Sequence, residues 1–517
     1  MQVHPTRASS DLVWAGVLTV AAGLATRVPA IAGYGSALLL GVLVARAVTR
    51  VGIARVRAAG FEMLWGETER VRRVARGSRF ELRAEIRNRD TRATRYGRLR
   101  VVAAPELNVV VEPTEAEVSA GGRLEVRLHV TAERVGRHGI HGLSLEVLGS
   151  PGLFEVPLTF ANPQAVEVLP APFAPLLRSA RGGRSRMSAT DGHPGPLAGD
   201  GLELRELREH RPGDPFKRIA WKASARRGKL LVTETELEER DVVWVLVDAS
   251  VENWAGRPGA SPLDAALDEA AAVIERHLAR GDRVGLGLFG ARMLSWLPPA
   301  RGPKHVSNLM AALAFDAGCN DSDRSDWDEG EVGNHVLEHL RPLDPAGTAQ
   351  LHRADLERLA RRAERWLGKA PLSPPRPRAP SNRERVLRHY LASFGVTSPP
   401  RLEPERAQSE LGIAAALKKL GREKSRASVV YVWARPPEAV GNSALLDAFE
   451  RFPKRRTELR FCSMSHTLGL PDGEDARSLV VRDAVGLRLQ LATRRGDREL
   501  KKRGVRPIAP HKPLGRR

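Results

Sequence analysis

The sequence predicts a chain that is α/β plus all-β: an N-terminal transmembrane hairpin, an antiparallel β-sandwich, and a doubly wound parallel sheet with a helical insertion. Three observations predict it. Two charge-free apolar runs lie near the N-terminus, apolar and charged residues alternate from about residue 61 to 170, and strand and helix patterns alternate after residue 241. The 517 residues suit about three domains at roughly 150 residues each. Hydrophobic residues at 42% and charged residues at 28% exclude wholesale disorder and collagen-like repeats. Lys+Arg 82 against Asp+Glu 61 leaves a net charge of +21, with a pI of about 10.8. That balance suits a phosphate-rich partner or anionic lipid, although Arg is used heavily throughout. Two cysteines, Cys319 and Cys462, make neither a disulfide framework nor a cysteine-rich zinc site.

The membrane anchor is assigned to residues 1–60. Leu12 to Ala25 and Val28 to Ala45 carry no charge, and only Thr26 and Arg27 separate them. The second run is long enough to span a bilayer, and the first is short. Arg7 precedes the pair and Arg46, Arg50, Arg55 and Arg57 follow it, which places both ends in the cytoplasm at the inner membrane. A signal peptide cut after Ala30-Ile31-Ala32 is the rival reading, and the apolar run that continues past that site argues against it.

Residues 61–170 are read as the sandwich. Phe80 to Ile86 and Leu124 to Val130 alternate apolar and charged residues, and Leu99 to Val102, Val109 to Val111 and Leu143 to Val147 add shorter runs. Turn signals such as Asn88-Arg89-Asp90 and Ala120-Gly121-Gly122 fall between them. The spacing points to an immunoglobulin-like type, with Arg83, Arg87 and Arg127 on a solvated face.

Residues 171–240 combine a Pro/Gly/Ser/Arg-rich linker with the most distinctive stretch of the chain. Pro212-Gly213-Asp214-Pro215 reads as a tight turn, Ile219 and Trp221 as an apolar anchor, and Lys222, Arg226 and Arg227 as a cationic edge. Leu230 to Glu238 alternates like a strand. Together these residues resemble the signature of the bacterial domain-of-unknown-function family fifty-eight, matching at Arg208, Arg211, Pro212, Gly213, Asp214, Arg218, Ile219, Trp221, Lys222, Ala225, Arg226 and Glu238. The sequence departs from that pattern at His210, Pro215 and Ala220, where the family carries an aromatic and two Asp. The resemblance implies an N-terminal membrane hairpin, a sandwich, and a von Willebrand factor A-like domain after the signature. It also implies a MoxR-type AAA+ ATPase as partner, in envelope or complex-assembly functions, and Arg208, Arg211, Gly213, Asp214, Arg218, Trp221, Lys222 and Arg226 as binding residues.

Residues 241–517 are assigned to that A-like domain, with an insertion at about 315–427. Val242 to Val247 is a continuous apolar run ending in Asp248, as a buried parallel strand requires. Helix Leu263 to Leu278, strand Arg283 to Gly290 and helix Val306 to Leu313 follow. The pattern resumes with strand Ser428 to Trp433, helix Leu445 to Phe452, strand Leu459 to Met464, helix Ala476 to Lys502 and a strand near Val505. The insertion begins acidic and continues in helical segments, too long for an ordinary loop.

Similar A-domains hold a divalent ion on Asp-x-Ser-x-Ser, a loop Thr and a later Asp, through hard oxygen ligands. Here Asp248, Ser250 and Ser307 stand at three of those places, Glu252 takes the second Ser, and Ala434 and Arg435 stand where the late Asp is due. The expectation is no cofactor at a degenerate site, with Mg²⁺ as the alternative. His335-Val336-Leu337-Glu338-His339 matches an inverted zinc-protease motif in a segment that Pro342 is expected to end. The Asp321 to Asp326 stretch fails as a calcium loop, having Asp at its sixth place and Val332 at its twelfth. No P-loop and no Gly-x-Ser-x-Gly is present. The reading is therefore a non-enzymatic, membrane-anchored interaction protein. The alternative is a binder of nucleic acid or anionic lipid through basic surfaces such as Arg494 to Arg517, with nucleic acid disfavoured because no base-stacking aromatics accompany that tail.

Overall fold

The computed structural model describes residues 3–115, 117–149, 151–171, 193–212, 214–239, 241–317, 325–396, 404–423, 427–437, 443–453, 457–464 and 476–508. It is mixed α/β, with two apolar N-terminal helices and several β-sheets. Contacts divide it into two compact units, one of Met1–Leu169 with Gly318–Arg401, the other of Pro170–Ala317 with Leu402–Arg517.

In the first unit, helices Arg7–Thr26 and Pro29–Ala59 pair with each other. Arg7–Thr26 and Pro29–Val56 are long and apolar enough to cross a membrane. Their close approach depends on small residues. A Cβ on Gly23 would sit 2.4 Å from the Ala32 nitrogen, and one on Gly35 would sit 2.7 Å from the Val20 nitrogen.

After the helices come two facing sheets. Strands Phe61–Trp65, Arg79–Asn88, Arg123–Ala132 and Leu107–Glu112 form an antiparallel sheet. Strand Gly136–Leu148 pairs antiparallel with both Phe154–Leu169 and Thr94–Ala103 in the other. Period-2 alternation does the sorting. Leu82, Ala84, Ile86, Val126, Leu128 and Val130 point into one core with Leu143, Leu145 and Val166 from the opposite sheet. Arg83 and Arg127 point out, beside Glu81 and Glu125.

The helical insertion belongs to this β-rich unit, although in sequence it interrupts the parallel-sheet half. Helices Glu329–Leu343, Leu356–Leu367 and Asn382–Phe394 bury Val336, Leu340, Leu359, Leu387, Leu391 and Phe394 in their own core. Asp328 and Glu331 form a capping box at the start of the first helix. A polar chain crosses to the sheet. His339 Nε2 lies 3.0 Å from His141 Nδ1, and His339 Nδ1 lies 3.0 Å from the Tyr390 hydroxyl. The Gly139 N–H also donates to the Gly395 carbonyl at 3.2 Å. Gly395 has φ +66°, and a Cβ there would meet the Gly139 nitrogen at 2.7 Å, so both its backbone and its neighbour demand glycine.

In the second unit, a six-stranded sheet runs Met293–Ala300, Arg283–Phe289, Val242–Asp248, Val429–Ala434, Glu458–Ser463, Arg506–Ile508. All pairings are parallel except that of the edge strand Met293–Ala300, which the sequence pattern did not suggest. Helices cover both faces, because alternate strand residues meet different helices. Trp244, Leu246, Val430 and Val432 pack with Ile413, Leu417, Leu445 and Phe449 from helices Arg406–Arg422 and Ala444–Arg451. On the opposite face the Trp433 indole donates to Glu269 Oε2 of helix Pro262–Ala279 at 3.0 Å. Strand order reverses at Val242–Asp248, so Asp248, at the carboxyl end of that strand, stands at the topological switch point of the sheet.

Candidate functional site

Two places bear the sequence-predicted site residues, the signature segment and the Asp248 edge, both in the second unit. The signature is built on a hairpin. Strands His193–Glu209 and Leu231–Glu239 pair antiparallel, so the first strand reaches into residues read as linker. Between them the chain makes the Pro212 turn, a 3₁₀ turn at Phe216–Arg218 and the helix Trp221–Arg227. A seven-residue helix is marginal on its own. It is tied down by Ser224, whose hydroxyl donates to the Ala220 carbonyl at 3.0 Å and accepts the Leu231 N–H at 2.8 Å. Gly228, at φ +66°, ends the helix in the left-handed region.

Asp214 organises the turn. Its two oxygens accept both terminal nitrogens of Arg208, at 2.7 and 2.8 Å, and Oδ2 also accepts the Arg211 N–H at 2.8 Å. The Arg208 guanidinium and then the Arg211 N–H hold the Asp214 carboxyl well below the usual carboxylate range, against a smaller opposing effect of burial. This ion pair forms although Pro215 and Ala220 stand where the resembled pattern has carboxylates. His210 takes the aromatic place, its ring centroid 6.1 Å from that of Phe216.

The predicted anchor divides. Ile219 is buried and bridges to Val232, whereas Trp221 is 63% exposed and Phe216 74% exposed. Arg211, Lys217, Arg218, Lys222, Arg226 and Arg227 are exposed as well. The segment thus holds Ile219 and Ser224 inward and presents two aromatics among six cations outward. Phe216 and Lys217 escaped the sequence reading, because an aromatic beside a Pro-rich turn looks like a core residue. Gly213 lies outside the described residues.

At the Asp248 edge the side chains bond one another, and Glu252 Oε2 is buried without a hydrogen bond among the described residues. Asp248 Oδ1 accepts the Ser409 hydroxyl at 2.5 Å and the Ser250 N–H at 3.1 Å. The Asn253 amide donates to the Asp248 carbonyl at 3.0 Å and to the Ser250 hydroxyl at 3.1 Å. Glu252, in the place of the second Ser, turns to helix Arg406–Arg422 and accepts the Arg406 N–H at 2.9 Å, while Glu405 accepts the Val251 N–H at 3.1 Å. Burial raises the Asp248 carboxyl above its ordinary range, opposed by the hydrogen bonds from Ser409 and Ser250. Ser307 is exposed on helix Pro303–Ala311. Among the described residues no group of three or more His, Cys, Asp or Glu could hold a metal ion.

Asp248 acts here as the acceptor that joins the strand end to the helix bearing Ser409. Millimolar Mg²⁺ is therefore expected to leave the melting temperature of the full chain unchanged. Asp248→Ala is expected to cost about 1–3 kcal/mol, by stranding the Ser409 hydroxyl and the Ser250 N–H, equally with and without the ion. A magnesium-dependent rise in melting temperature that disappears in Asp248→Ala would contradict this role.

The zinc-protease pair goes to separate partners. The helix starts at Glu329, so the segment is not short, and Pro342 lies inside its last turn. His335 stacks on Trp327 at a centroid distance of 3.9 Å, His339 bonds His141 and Tyr390, and Glu338 is exposed.

The family described as "Protein of unknown function DUF58" matches residues 206–366. The match starts in the signature hairpin and ends in the helical insertion. The uncharacterized protein Rv1480 of Mycobacterium tuberculosis is 27% identical over 126 residues, covering 24% of this chain and 38% of that protein. The uncharacterized protein Mb1516 of Mycobacterium bovis matches to the same extent. The chain thus spans 38% of the length of these curated relatives. Among solved structures, PapD-like domain 7 of human CEP192 is 13% identical over 22% of this chain and 86% of that one, with a TM-score of 0.17. WR4, a C. elegans MSP family member, is 8% identical over 19% of this chain and 89% of that one, with a TM-score of 0.14. At these scores neither likeness carries an argument.

Proposed function

We propose that this chain is a membrane-anchored, non-catalytic interaction protein that presents the Phe216–Trp221 surface to a protein partner. The observation that carries the reading is the exposure of those two aromatics, 74% and 63%, beside Lys217, Lys222 and Arg226. Burying a large aromatic on a soluble surface is favourable, so leaving two outside on a segment braced by Ile219, Ser224 and Asp214 suits a binding face. In this reading the facing sheets are an immunoglobulin-like sandwich, and the six-stranded sheet is a von Willebrand factor A-like domain whose metal edge has been rewired. The family resemblance supplies the partner class, a MoxR-type AAA+ ATPase. The test is purification from gently solubilised membranes. Recovery of such an ATPase in both low and high salt supports the reading. Retention of nucleic acid or anionic lipid alone, collapsing between about 50 and 200 mM salt, would favour the charge-driven alternative.

The anchor in this reading is the pair Arg7–Thr26 and Pro29–Val56, with the soluble units in the cytoplasm. Arg46, Arg50, Arg55 and Arg57, which follow the charge-free run Val28 to Ala45, support that side. Alkaline phosphatase fused after Gly60 is expected to be inactive, and strong periplasmic activity would overturn the topology.

A further inference from the structure

The second unit carries an open apolar trough that the signature does not touch. It lies between helices Arg406–Arg422 and Ala444–Arg451, and its volume is about 540 Å³. Leu411, Ala414 and Ala415 line one side, Ala448 and Phe452 the other, and Pro453 one end. Leu411 is 59% exposed, at the rim. Small side chains at 414, 415 and 448 let a visiting backbone come close. Lys418, Arg422 and Arg451 also line the trough, against one carboxylate, Asp447, among the described residues. Lys418 and Arg422 are one helical turn apart, so their charges repeat along the trough instead of converging on one point.

We propose that this trough is a docking groove for an acidic amphipathic helix of a partner protein. An apolar floor between two helices accepts one helix face, read as anchors at i, i+3 or i+4, and i+7. The basic rim asks for carboxylates flanking those anchors. A charge repeated on successive turns matches an extended helix better than a single anionic headgroup. A second copy of this chain is the poorer occupant. Its net charge is +21, and its outward apolar residues on helix Ala476–Lys502, Val480 and Leu487, come with Arg482 and Arg488. Like charges would then face each other across the rim.

The inference stands independently of the Phe216–Trp221 surface. Its test uses the full chain in detergent and two labelled helical peptides with Leu at the a and d positions, one with Glu and one with Lys at e and g. Fluorescence anisotropy is expected to show saturable binding of the Glu peptide and at least tenfold weaker binding of the Lys peptide. Leu411→Glu with Ala415→Glu, both helix-compatible at exposed positions, is expected to weaken the Glu peptide at least tenfold. Lys418→Glu with Arg422→Glu is expected to do the same and to gain binding of the Lys peptide, a gain that misfolding does not produce. Phe216→Ser with Trp221→Ser is expected to change neither affinity. No saturable binding by the wild type, no preference between peptides, or unchanged affinities in the Lys418/Arg422 variant would each overturn the groove. So would a concentration-dependent dimer lost in Leu411→Glu, which would make a second copy the occupant, or binding to anionic vesicles that competes the peptide off.

Discussion

Lowering the pH from 7 to 5 is expected to loosen the β-rich unit before the parallel-sheet unit. Three histidines set this, His138 buried and His141 and His339 half-buried. Burial pushes His138 and His141 down to about 4, and burial followed by the charge of His141 pushes His339 down to about 3. Each stays neutral in the folded state, where His339 bonds His141 and Tyr390, and His138 Nε2 lies 2.9 Å from the Arg134 carbonyl. In the unfolded chain a histidine takes up a proton near pH 6.5. Its folded pKa lies below that, so the stabilisation is complete above pH 6.5 and is lost as the pH falls towards 4. Each independent group contributes at most roughly 1.4 kcal/mol per pH unit within that window, and His141 and His339, bonded to each other, titrate as a pair. Against a stability of about 5–15 kcal/mol for a domain, a loss on this scale between pH 6.5 and 5 is enough to loosen the unit. Hydrogen exchange of the full chain is expected to accelerate first in strand Gly136–Leu148 and helix Glu329–Leu343. His339→Phe should lower the starting stability yet flatten its decline between pH 6.5 and 5. A decline as steep in His339→Phe as in the wild type would show that these histidines do not set the pH dependence.

Phe216→Ser with Trp221→Ser is expected to separate binding from folding. Both side chains are mostly in water, so their loss should alter the melting temperature little, within the usual ±0.5 kcal/mol or so for surface changes. As aromatic anchors of an interface, each is expected to carry about 2 kcal/mol or more of affinity, so the pair should lower partner recovery at least tenfold. Ile219→Ala is the contrasting change. It empties a buried site against Val232 and should destabilise by about 2–5 kcal/mol, releasing the partner only through loss of the turn.

The architecture was legible wherever one period ran unbroken. Val242 to Asp248 reads as a parallel strand because both faces are covered, and Phe80 to Ile86 as a half-buried one because only one face is. The strand Met293–Ala300 escaped because Trp296 and two prolines interrupt its alternation, which an antiparallel edge tolerates. The hairpin strand His193–Glu209 escaped because Gly and Pro fill its first half, and pairing to Leu231–Glu239 decides its conformation. The company kept by the insertion was also hidden in the sequence. Chain order places residues 318–401 inside the parallel-sheet half, and the His141–His339 and Gly139–Gly395 contacts that join them to the sheet span hundreds of residues. At the signature, composition marked the cations and Asp214, but only the packing of Ile219 and Ser224 inward revealed that Trp221 faces out.

The role proposed for the aromatic surface held by Asp214 and Ile219 is to bind a protein partner at the membrane. The most direct measurement is quantitative mass spectrometry of proteins co-purified with the tagged full chain from gently solubilised membranes, wild type beside Phe216→Ser/Trp221→Ser, at about 50 and 300 mM salt. A MoxR-type ATPase is expected with the wild type at both salt concentrations, and at least tenfold less of it with the variant at equal amounts of folded bait. Equal recovery with both baits, or no ATPase with either, would contradict it.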